Sequence, residues 1–95
     1  MWEVIYTNSF TKQLGKLPDV IQKRMAILSE ELERFGPMRP NWKNFGLLKG
    51  SGTTKIYHCH IKSGKPTYVA CWEVKDKSIK LIEVYYVGTH ENAPY

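Results

Sequence analysis

Three histidines and a C-terminal tyrosine are the side chains best suited to move a proton. His58 and His60 flank a cysteine in "HCH", and His90 stands five residues before Tyr95 in the closing stretch "YYVGTHENAPY". An imidazole titrates near pH ~6.5, so it can accept or donate a proton at neutral pH. We therefore predict that one or more of these histidines acts as a general acid or base.

Two other interpretations of the histidines stay open. Histidines at alternate positions of a strand can bind a metal ion, and His90 or Glu91 could then complete the ligand set. No third ligand stands at a diagnostic spacing, so we expect neither a metal nor another cofactor. The second alternative is a packing role, in which a histidine ring lies on Trp72 with its nitrogen hydrogen-bonded.

Positive charge is in excess in this chain. Fourteen Lys and Arg oppose nine Asp and Glu, which gives a formal net charge of +5, and many of the cations fall within residues 39–65. Aromatic residues are interleaved with them, and cations for phosphates with rings for bases are typical of single-stranded nucleic-acid sites. A surface that serves solubility alone is the alternative. The predicted RNA-binding residues are Arg39, Lys43, Tyr57, Lys62 and Lys65.

Length and composition predict one soluble globular domain, residues 1–95. Hydrophobic residues make up 42% of the chain and charged residues 24%. No apolar run approaches the roughly 20 residues that span a bilayer, and "MWEVIYT" does not resemble a secretory signal, so we expect a cytoplasmic protein without a membrane partner. The two cysteines, Cys59 and Cys71, are too few for a disulfide framework, and we expect both to be small buried hydrophobes.

The elements that position these groups are predicted to start with one strand and two helices. "WEVIYT" predicts a strand, and Asn8 or Ser9 is the expected cap of a short first helix. Pro18 suits the first turn of a second helix, which Gly36 and Pro37 end. An apolar stripe at helical spacing is expected to pack this second helix on a sheet. The stripe consists of Ile21, Met25, Leu28, Leu32 and Phe35.

A loop over residues 36–52 and a three-stranded antiparallel meander are predicted to follow. The strands are "TTKIYHCHI" from Thr53, "TYVACWEV" and "SIKLIEVYYV", joined by "KSGKP" and by the turn "DK". The fold class is thus α+β, in the order β-α-α-β-β-β, with the helices on one sheet face and the other face open.

The first hairpin of the meander also predicts which residues face each other. If its turn centres near Gly64 and Lys65, His58 and His60 share one sheet face, and Lys55, Tyr57 and Cys59 share the other. With this turn position, the predicted cross-strand pairs are Tyr57 with Glu73, His58 with Trp72, Cys59 with Cys71 and His60 with Ala70.

Over nearly its whole length the sequence resembles the RelE/ParE superfamily of type II toxins. The element order matches, "LLKGSG" with Leu48, Lys49 and Gly50 matches the family's loop motif, and Gly88, His90 and Tyr95 match its C-terminal pattern. Within the superfamily it is most similar to the RelE-like mRNA interferases of the YafQ and HigB type. The resemblance implies a RelE-like domain whose partners are a cognate antitoxin, the ribosome and mRNA.

The resemblance also implies roles for individual residues. Lys49 and Lys55 would be cations near the scissile phosphate, His90 would replace a C-terminal arginine or histidine, and Tyr95 would be the aromatic that orients the nucleotide. Two positions that are basic in many relatives fall at Tyr57 and Val69. Nearby residues are candidates to replace the missing charge. They are His58, His60 and Lys62.

The reaction implied is metal-independent RNA cleavage that stops translation. A base takes the proton of a ribose 2′-OH, the oxygen attacks the adjacent phosphorus, and an acid protonates the departing 5′-oxygen. Alternatives within the same fold are a ParE-like gyrase inhibitor and a catalytically degenerate member that only binds RNA or its antitoxin. We expect Gly88 to break the last strand, so that "THENAPY" turns back along the open sheet edge with His90 as the proton-transferring residue.

Overall fold

The computed structural model describes residues 1–51 and 54–95, and the side chains of all of these except 49–51. Along the chain the elements are β1 (Glu3–Tyr6), α1 (Asn8–Gly15), α2 (Asp19–Phe35), β2 (Gly46–Ser51), β3 (Thr54–Lys62), β4 (Tyr68–Asp76), β5 (Leu81–Thr89) and a short 3₁₀ helix (His90–Asn92). The described strands form one sheet in the order β1-β5-β4-β3-β2. β1 runs parallel to β5, and the other neighbours are antiparallel. The predicted α+β class is confirmed.

Both helices begin and end near the predicted positions. The cap of α1 is Thr7, not Asn8 or Ser9, because its hydroxyl accepts a hydrogen bond from the Phe10 amide at 3.0 Å. α2 follows Pro18 and ends before Gly36, whose φ of 92° lies in the left-handed region that favours glycine.

The apolar stripe of α2 packs on the sheet as predicted, except at its end. Ile21, Met25, Leu28 and Leu32 are at most 1% exposed, and they form the core together with fully buried sheet residues such as Trp72. Phe35 was expected in this set but is 63% exposed. Phe35 is the last residue of α2, next to Gly36, where the indole of Trp2 lies 2.7 Å from the position of an added Cβ, and the Phe35 ring instead contacts the guanidinium of Arg39.

The predicted loop over residues 36–52 contains a strand that the sequence pattern missed. β2 pairs antiparallel with β3 at the edge of the sheet. Its sequence "GLLKGS" has two glycines and no β-branched residue, so its strand conformation depends on pairing with β3 rather than on intrinsic propensity. Thr53, the predicted start of the following strand, lies outside the described residues.

The predicted pairing of β3 with β4 is wrong by one residue. Cys59 faces Ala70 and His58 faces Cys71, because a bulge lies between His60 and Lys62. The same shift pairs Tyr57 with Trp72 and His60 with Val69. Cys59 therefore belongs to the helix-covered core, whereas Cys71 shares the opposite face with the histidines. Both thiols are free and buried, and burial raises the pKa of each to about 12.

The last strand does not break at Gly88. β5 continues to Thr89, and the chain then makes one turn of 3₁₀ helix. Gly88 matters for a different reason, since a Cβ there would lie 2.7 Å from the Tyr86 hydroxyl. Among the described residues, no helix combines the length and apolarity needed to span a membrane.

Candidate active site

The three histidines of the sequence and Tyr95 lie together on the sheet face opposite the helices. The ring centroids of His58 and Tyr95 are 5.2 Å apart, those of His60 and His90 5.6 Å, and those of His90 and Tyr95 5.8 Å. We refer to these four residues as the histidine–tyrosine cluster. His58 and His60 come from β3, and the other two members come from the chain that follows β5.

Two hydrogen bonds fix the point at which the chain leaves β5. The Tyr86 hydroxyl donates to the carbonyl oxygen of Thr89 at 2.8 Å, and the amide of His90 donates to the carbonyl oxygen of Thr67 at 2.8 Å. The ring of Tyr86 can lie this close to the strand because Gly88 has no side chain. These contacts position the backbone of His90 beside the start of β4.

The tail of residues 90–95 crosses the open face of the sheet. It leaves from β5 and brings Tyr95 to His58 on β3, and β4 lies between these two strands. Val69 and Cys71 on that face of β4 have no exposed surface, although the helices cover the other face. The tail and the cluster therefore form a second, smaller covered region.

The two strand histidines are held in their neutral form. Burial lowers the pKa of His58, and the charge of His90 lowers it further. Burial also lowers the pKa of His60, with contributions from His90, His58 and Lys43. At neutral pH both imidazoles can therefore accept a proton.

The tyrosines of this face keep their protons. Burial is the main cause that raises the pKa of Tyr95, and the same holds for Tyr85 and Tyr86. A phenol with a raised pKa donates a hydrogen bond or stacks at neutral pH, but it does not act as a base.

A cavity of about 460 Å³ opens beside the cluster, and His60 and His90 both line it. Lys65, from the β3–β4 connection, contributes a positively charged side chain to the wall of this cavity. The remaining lining residues are Gly64, Pro66, Thr67, Thr89 and Glu91. His58 is less accessible, because its Nδ1 is buried. This atom has no hydrogen-bond partner among the described residues. The cavity is the place where a substrate can reach two imidazoles and an ammonium group together.

Other predicted cations lie near the cluster but outside this cavity. Lys43 and Lys62 line a neighbouring cavity that also contains His60. Lys49 lies in β2, and its side chain is outside the described part of the chain.

Three predicted residues are not brought to the cluster. Lys55 and Tyr57 belong to the helix-covered side of β3 and line a different cavity, together with Trp2 and Phe35. Arg39 is paired with Glu31 at 3.2 Å, and its guanidinium lies 5.2 Å from the centroid of the Phe35 ring. Its exposed side-chain fraction is 15%, so Arg39 stabilises the loop after α2.

Several residues that build the site carried no clear signal in the sequence. Tyr86 positions the tail through Thr89, and Thr67 anchors His90 through its carbonyl oxygen. A main-chain carbonyl can accept a hydrogen bond whatever the residue type, so the sequence does not reveal the role of Thr67. The role of Tyr86 depends on Gly88, two residues later, which leaves space for the tyrosine ring. Arg24 on α2 lines a cavity together with His60, and its hydrogen bond to Ile61 joins residues 37 positions apart.

The metal-binding alternative finds no support in the arrangement of side chains. Within residues 1–51 and 54–95, no group of three or more His, Cys, Asp or Glu side chains is placed to hold a metal ion. The histidines meet as rings packed edge to face or tilted against Tyr95. This arrangement suits proton transfer between side chains and a bound substrate.

Comparison with solved structures shows the same fold in bacterial and archaeal proteins. A chain in the archaeal RelE–RelB complex from Pyrococcus horikoshii OT3 aligns with a TM-score of 0.79 at 20% identity, covering 97% of this chain and 98% of that one. The isolated E. coli RelE toxin gives 0.66 at 16%, covering 99% and 89%. The intact E. coli RelBE toxin–antitoxin complex gives 0.63 at 16%, covering 93% and 95%.

Sequence comparison alone does not reach these proteins. No protein-family model matches the chain, and no curated protein matches it in sequence. The likeness is therefore one of three-dimensional structure, and it extends over nearly the full length of both partners in each comparison. The resemblance noted from the sequence is confirmed at the level of architecture: this chain has the fold of the RelE toxins.

Proposed function

We propose that this protein is the toxin of a type II toxin–antitoxin system and that it cleaves mRNA on the ribosome. The observation that carries the proposal is the histidine–tyrosine cluster, with ring centroids 5.2 to 5.8 Å apart, on a chain with the RelE fold. Residues from β3 and from the C-terminal tail converge there beside a cavity that contains a lysine. Such a convergence of proton-transfer groups is typical of an active site.

In the proposed reaction, three ionisable residues that line the cavity have separate roles. His60, neutral because its pKa is lowered, takes the proton of the ribose 2′-OH. The 2′-oxygen then bonds to phosphorus, the bond from phosphorus to the 5′-oxygen breaks, and His90 gives that oxygen a proton. Lys65 stabilises the negative charge that develops on the phosphate oxygens. The products are a 2′,3′-cyclic phosphate and a 5′-hydroxyl end.

Tyr95 has a binding role in this proposal. Its phenol stays protonated, and half of its surface is exposed, so the ring can stack on the base beside the cut or donate a hydrogen bond to the nucleotide. DNA lacks the 2′-hydroxyl that attacks the phosphorus and is not cut.

The partners follow from the structural relatives. Two of the similar structures are described as complexes of RelE with RelB, and one of them as a toxin–antitoxin complex. We infer that a cognate antitoxin binds this chain and blocks its activity. The ribosome, which presents mRNA, is the proposed site of action, and the cytoplasm is the proposed compartment.

Two variants test the active site directly. His90→Ala and a chain truncated after Ala93 should each cut mRNA about a hundredfold more slowly than the parent, because a general acid or a substrate-binding ring is lost. Asn92→Ala, in the same exposed tail, is the matched control and should cut normally. Cleavage is measured by mapping mRNA ends after induction, with thermal unfolding to confirm the fold. Parental cleavage and growth arrest in both variants would overturn this site.

Metabolic pulse-labelling separates the proposed function from a gyrase inhibitor. Translation should stop first and mRNA should be cut, whereas inhibition of gyrase would stop replication and damage DNA. Purified protein should cut ribosome-bound mRNA equally well with and without a chelator that leaves ribosomal Mg²⁺ sufficient, because side chains supply the acid and base. If the parent binds RNA and antitoxin but leaves mRNA intact, the protein is a degenerate member of the fold.

A further inference from the structure

A second cavity, of about 430 Å³, lies next to the candidate active site. The two cavities have one lining residue in common, His60. The second lies between α2 and the β3–β4 hairpin and is lined by three cations and an indole ring. These residues are Arg24, Lys43, Lys62 and Trp42.

Arg24 is held over the hairpin by the fold. Its Nη1 donates a hydrogen bond to the carbonyl oxygen of Ile61 at 3.2 Å, which positions the guanidinium beside the bulge in β3. A guanidinium has five N–H donors, so this one contact leaves others for a ligand. Within the described part of the chain, the ion pairs involve other cations than those lining this cavity.

Trp42 is fixed in its orientation by a partly buried network of hydrogen bonds. Its indole Nε1 donates to Glu31 Oε1 at 2.9 Å, and the same oxygen accepts from Asn41 at 2.9 Å and from Arg39 at 3.2 Å. Burial alone would raise the pKa of Glu31, but the hydrogen bonds from Asn41, Trp42 and Arg39 outweigh it and hold that pKa below its usual range. Glu31 is thus an ionised anchor for the ring, and its charge is matched by Arg39.

His60 lines both cavities, and it interacts with Lys43 of the second cavity through a hydrogen bond and through charge. Its amide donates to the carbonyl oxygen of Lys43 at 2.7 Å, and the Lys43 ammonium group contributes to its lowered pKa. A strand that occupies both cavities would contact His60, the residue that we assign as the base.

We propose that this second cavity is a subsite for the nucleotide next to the cut, with its phosphate on Arg24, Lys43 and Lys62 and its base against Trp42. The proposal rests on the proposed function, because it deepens the assignment of RNA as the substrate. Three cations around one cavity favour a phosphate, and a fixed indole offers a stacking surface that accepts any base. The subsite binds the strand without reading its sequence by hydrogen bonds.

The test uses an RNA that the protein cannot cut. A single-stranded oligoribonucleotide of about six nucleotides, 2′-O-methylated throughout, is titrated into the full chain at several salt concentrations. Arg24→Gln is compared with Lys23→Gln, which removes the same charge from the neighbouring exposed position of α2. The readouts are the dissociation constant and the chemical shift of the Trp42 indole N–H.

Binding by the parent should shift the Trp42 indole signal. Arg24→Gln should lower the slope of log K against log salt by about 0.7, the contribution of one phosphate contact on a single strand. Lys23→Gln should keep the parental slope. In ribosomal cleavage, Arg24→Gln should raise KM and keep kcat, since it removes binding and no chemical group. Arg24→Lys, which keeps the charge, checks that loss of the hydrogen bond to Ile61 is not the cause.

The outcomes separate this inference from the proposed function. Equal slopes for Arg24→Gln and Lys23→Gln, or an unshifted Trp42 signal at saturating RNA, overturn the subsite even if the parent cuts mRNA. A selective effect of Arg24→Gln on binding by a parent that cuts no mRNA supports the subsite and refutes the catalytic assignment instead.

Discussion

The two faces of the sheet are covered in different ways. On one face α2 contributes Ile21, Met25, Leu28 and Leu32 to a core made of apolar residues. On the other face a tail of six residues lies across β4, and the side chains beneath and around it are mostly histidines and tyrosines. The first face contributes most to the free energy of unfolding, because the hydrophobic effect grows with the apolar area buried. The second face holds the groups able to do chemistry.

This difference shows how a small domain can hold a reactive site without weakening its core. Partly buried polar groups cost free energy, and the histidines and tyrosines of the cluster lie on the thinly covered face, away from the apolar core. Thin cover also leaves a cavity that a substrate can enter. We therefore expect variants of the helix-covered face to change stability, and variants of the tail face to change activity more than stability.

The largest effect is expected on the helix-covered face. Leu28 has no exposed surface, so Leu28→Asp buries an unpaired carboxylate and should destabilise the domain by several kcal/mol, enough to unfold it. Ile27→Asp places the same charge at the adjacent position, which is 54% exposed, and should stay folded. Circular dichroism with thermal unfolding measures both. A soluble Leu28→Asp protein that unfolds cooperatively would contradict the role given to α2.

The periodicity that makes this prediction possible was readable from the sequence. Apolar residues spaced three and four positions apart lie on one face of a helix, so both α2 and its core residues could be predicted from this spacing. Phe35 was the exception, because spacing alone does not show that the buried face of α2 ends at Leu32. The strand β2 was missed because pairing with β3, and not residue type, makes it a strand.

The tail face could be predicted only in part. The sequence indicated its histidines and Tyr95 as candidates for chemistry, since histidine and tyrosine are recognised by type. It did not give the bulge after His60, which separates the two cysteines to opposite faces, nor the contacts that bring His90 to His60. Such arrangements depend on main-chain hydrogen bonds and on the space that a glycine leaves for a neighbouring side chain. Neither of these is encoded by residue spacing.

An intermediate effect is expected at Gly88, which leaves room for the ring of Tyr86. Gly88→Ala puts a Cβ 2.7 Å from the Tyr86 hydroxyl, so the ring must move, at a cost of about 1–3 kcal/mol. Cleavage should fall further than stability alone explains, because Tyr86 positions the residue before His90. Gly15→Ala is the control, since nothing lies within 4 Å of its added Cβ, and its stability should change by less than about 1 kcal/mol. Equal effects at both glycines would remove the special role of Gly88.

Tyr86→Phe removes the hydroxyl and keeps the ring. The lost hydrogen bond to the Thr89 carbonyl should cost about 1 kcal/mol, less than the clash at Gly88. Because Tyr86 positions His90 and does not touch the substrate, kcat should fall while KM and the pH profile stay parental. Single-turnover cleavage at saturating ribosomes measures this. A raised KM with parental kcat would instead make Tyr86 a residue that binds RNA.

The smallest effects are expected in the protonation of the two strand histidines, and they test whether the tail covers the face as described. Burial and the charge of His90 lower the pKa of His58, and His90 contributes in the same direction at His60. His90→Gln should therefore raise both pKa values towards ~6.5, whereas truncation after Ala93 should raise that of His58 more, because Tyr95 is its ring neighbour. NMR titration of the imidazole signals measures each site.

The same pKa shifts fix the sign of a dependence of stability on pH. Both imidazoles bind a proton less readily in the folded chain than in the unfolded chain, where the pKa is ~6.5. The unfolded state therefore holds more protons once the pH falls below about 6.5, and stability should decrease from there down to the folded pKa values. His58→Gln should flatten part of this decrease, and Lys80→Gln, in the exposed β4–β5 turn, should leave it as in the parent. If stability rose on acidification through this range, or if His58 titrated at its ordinary pKa in the full chain, the tail would not be the cover of this face.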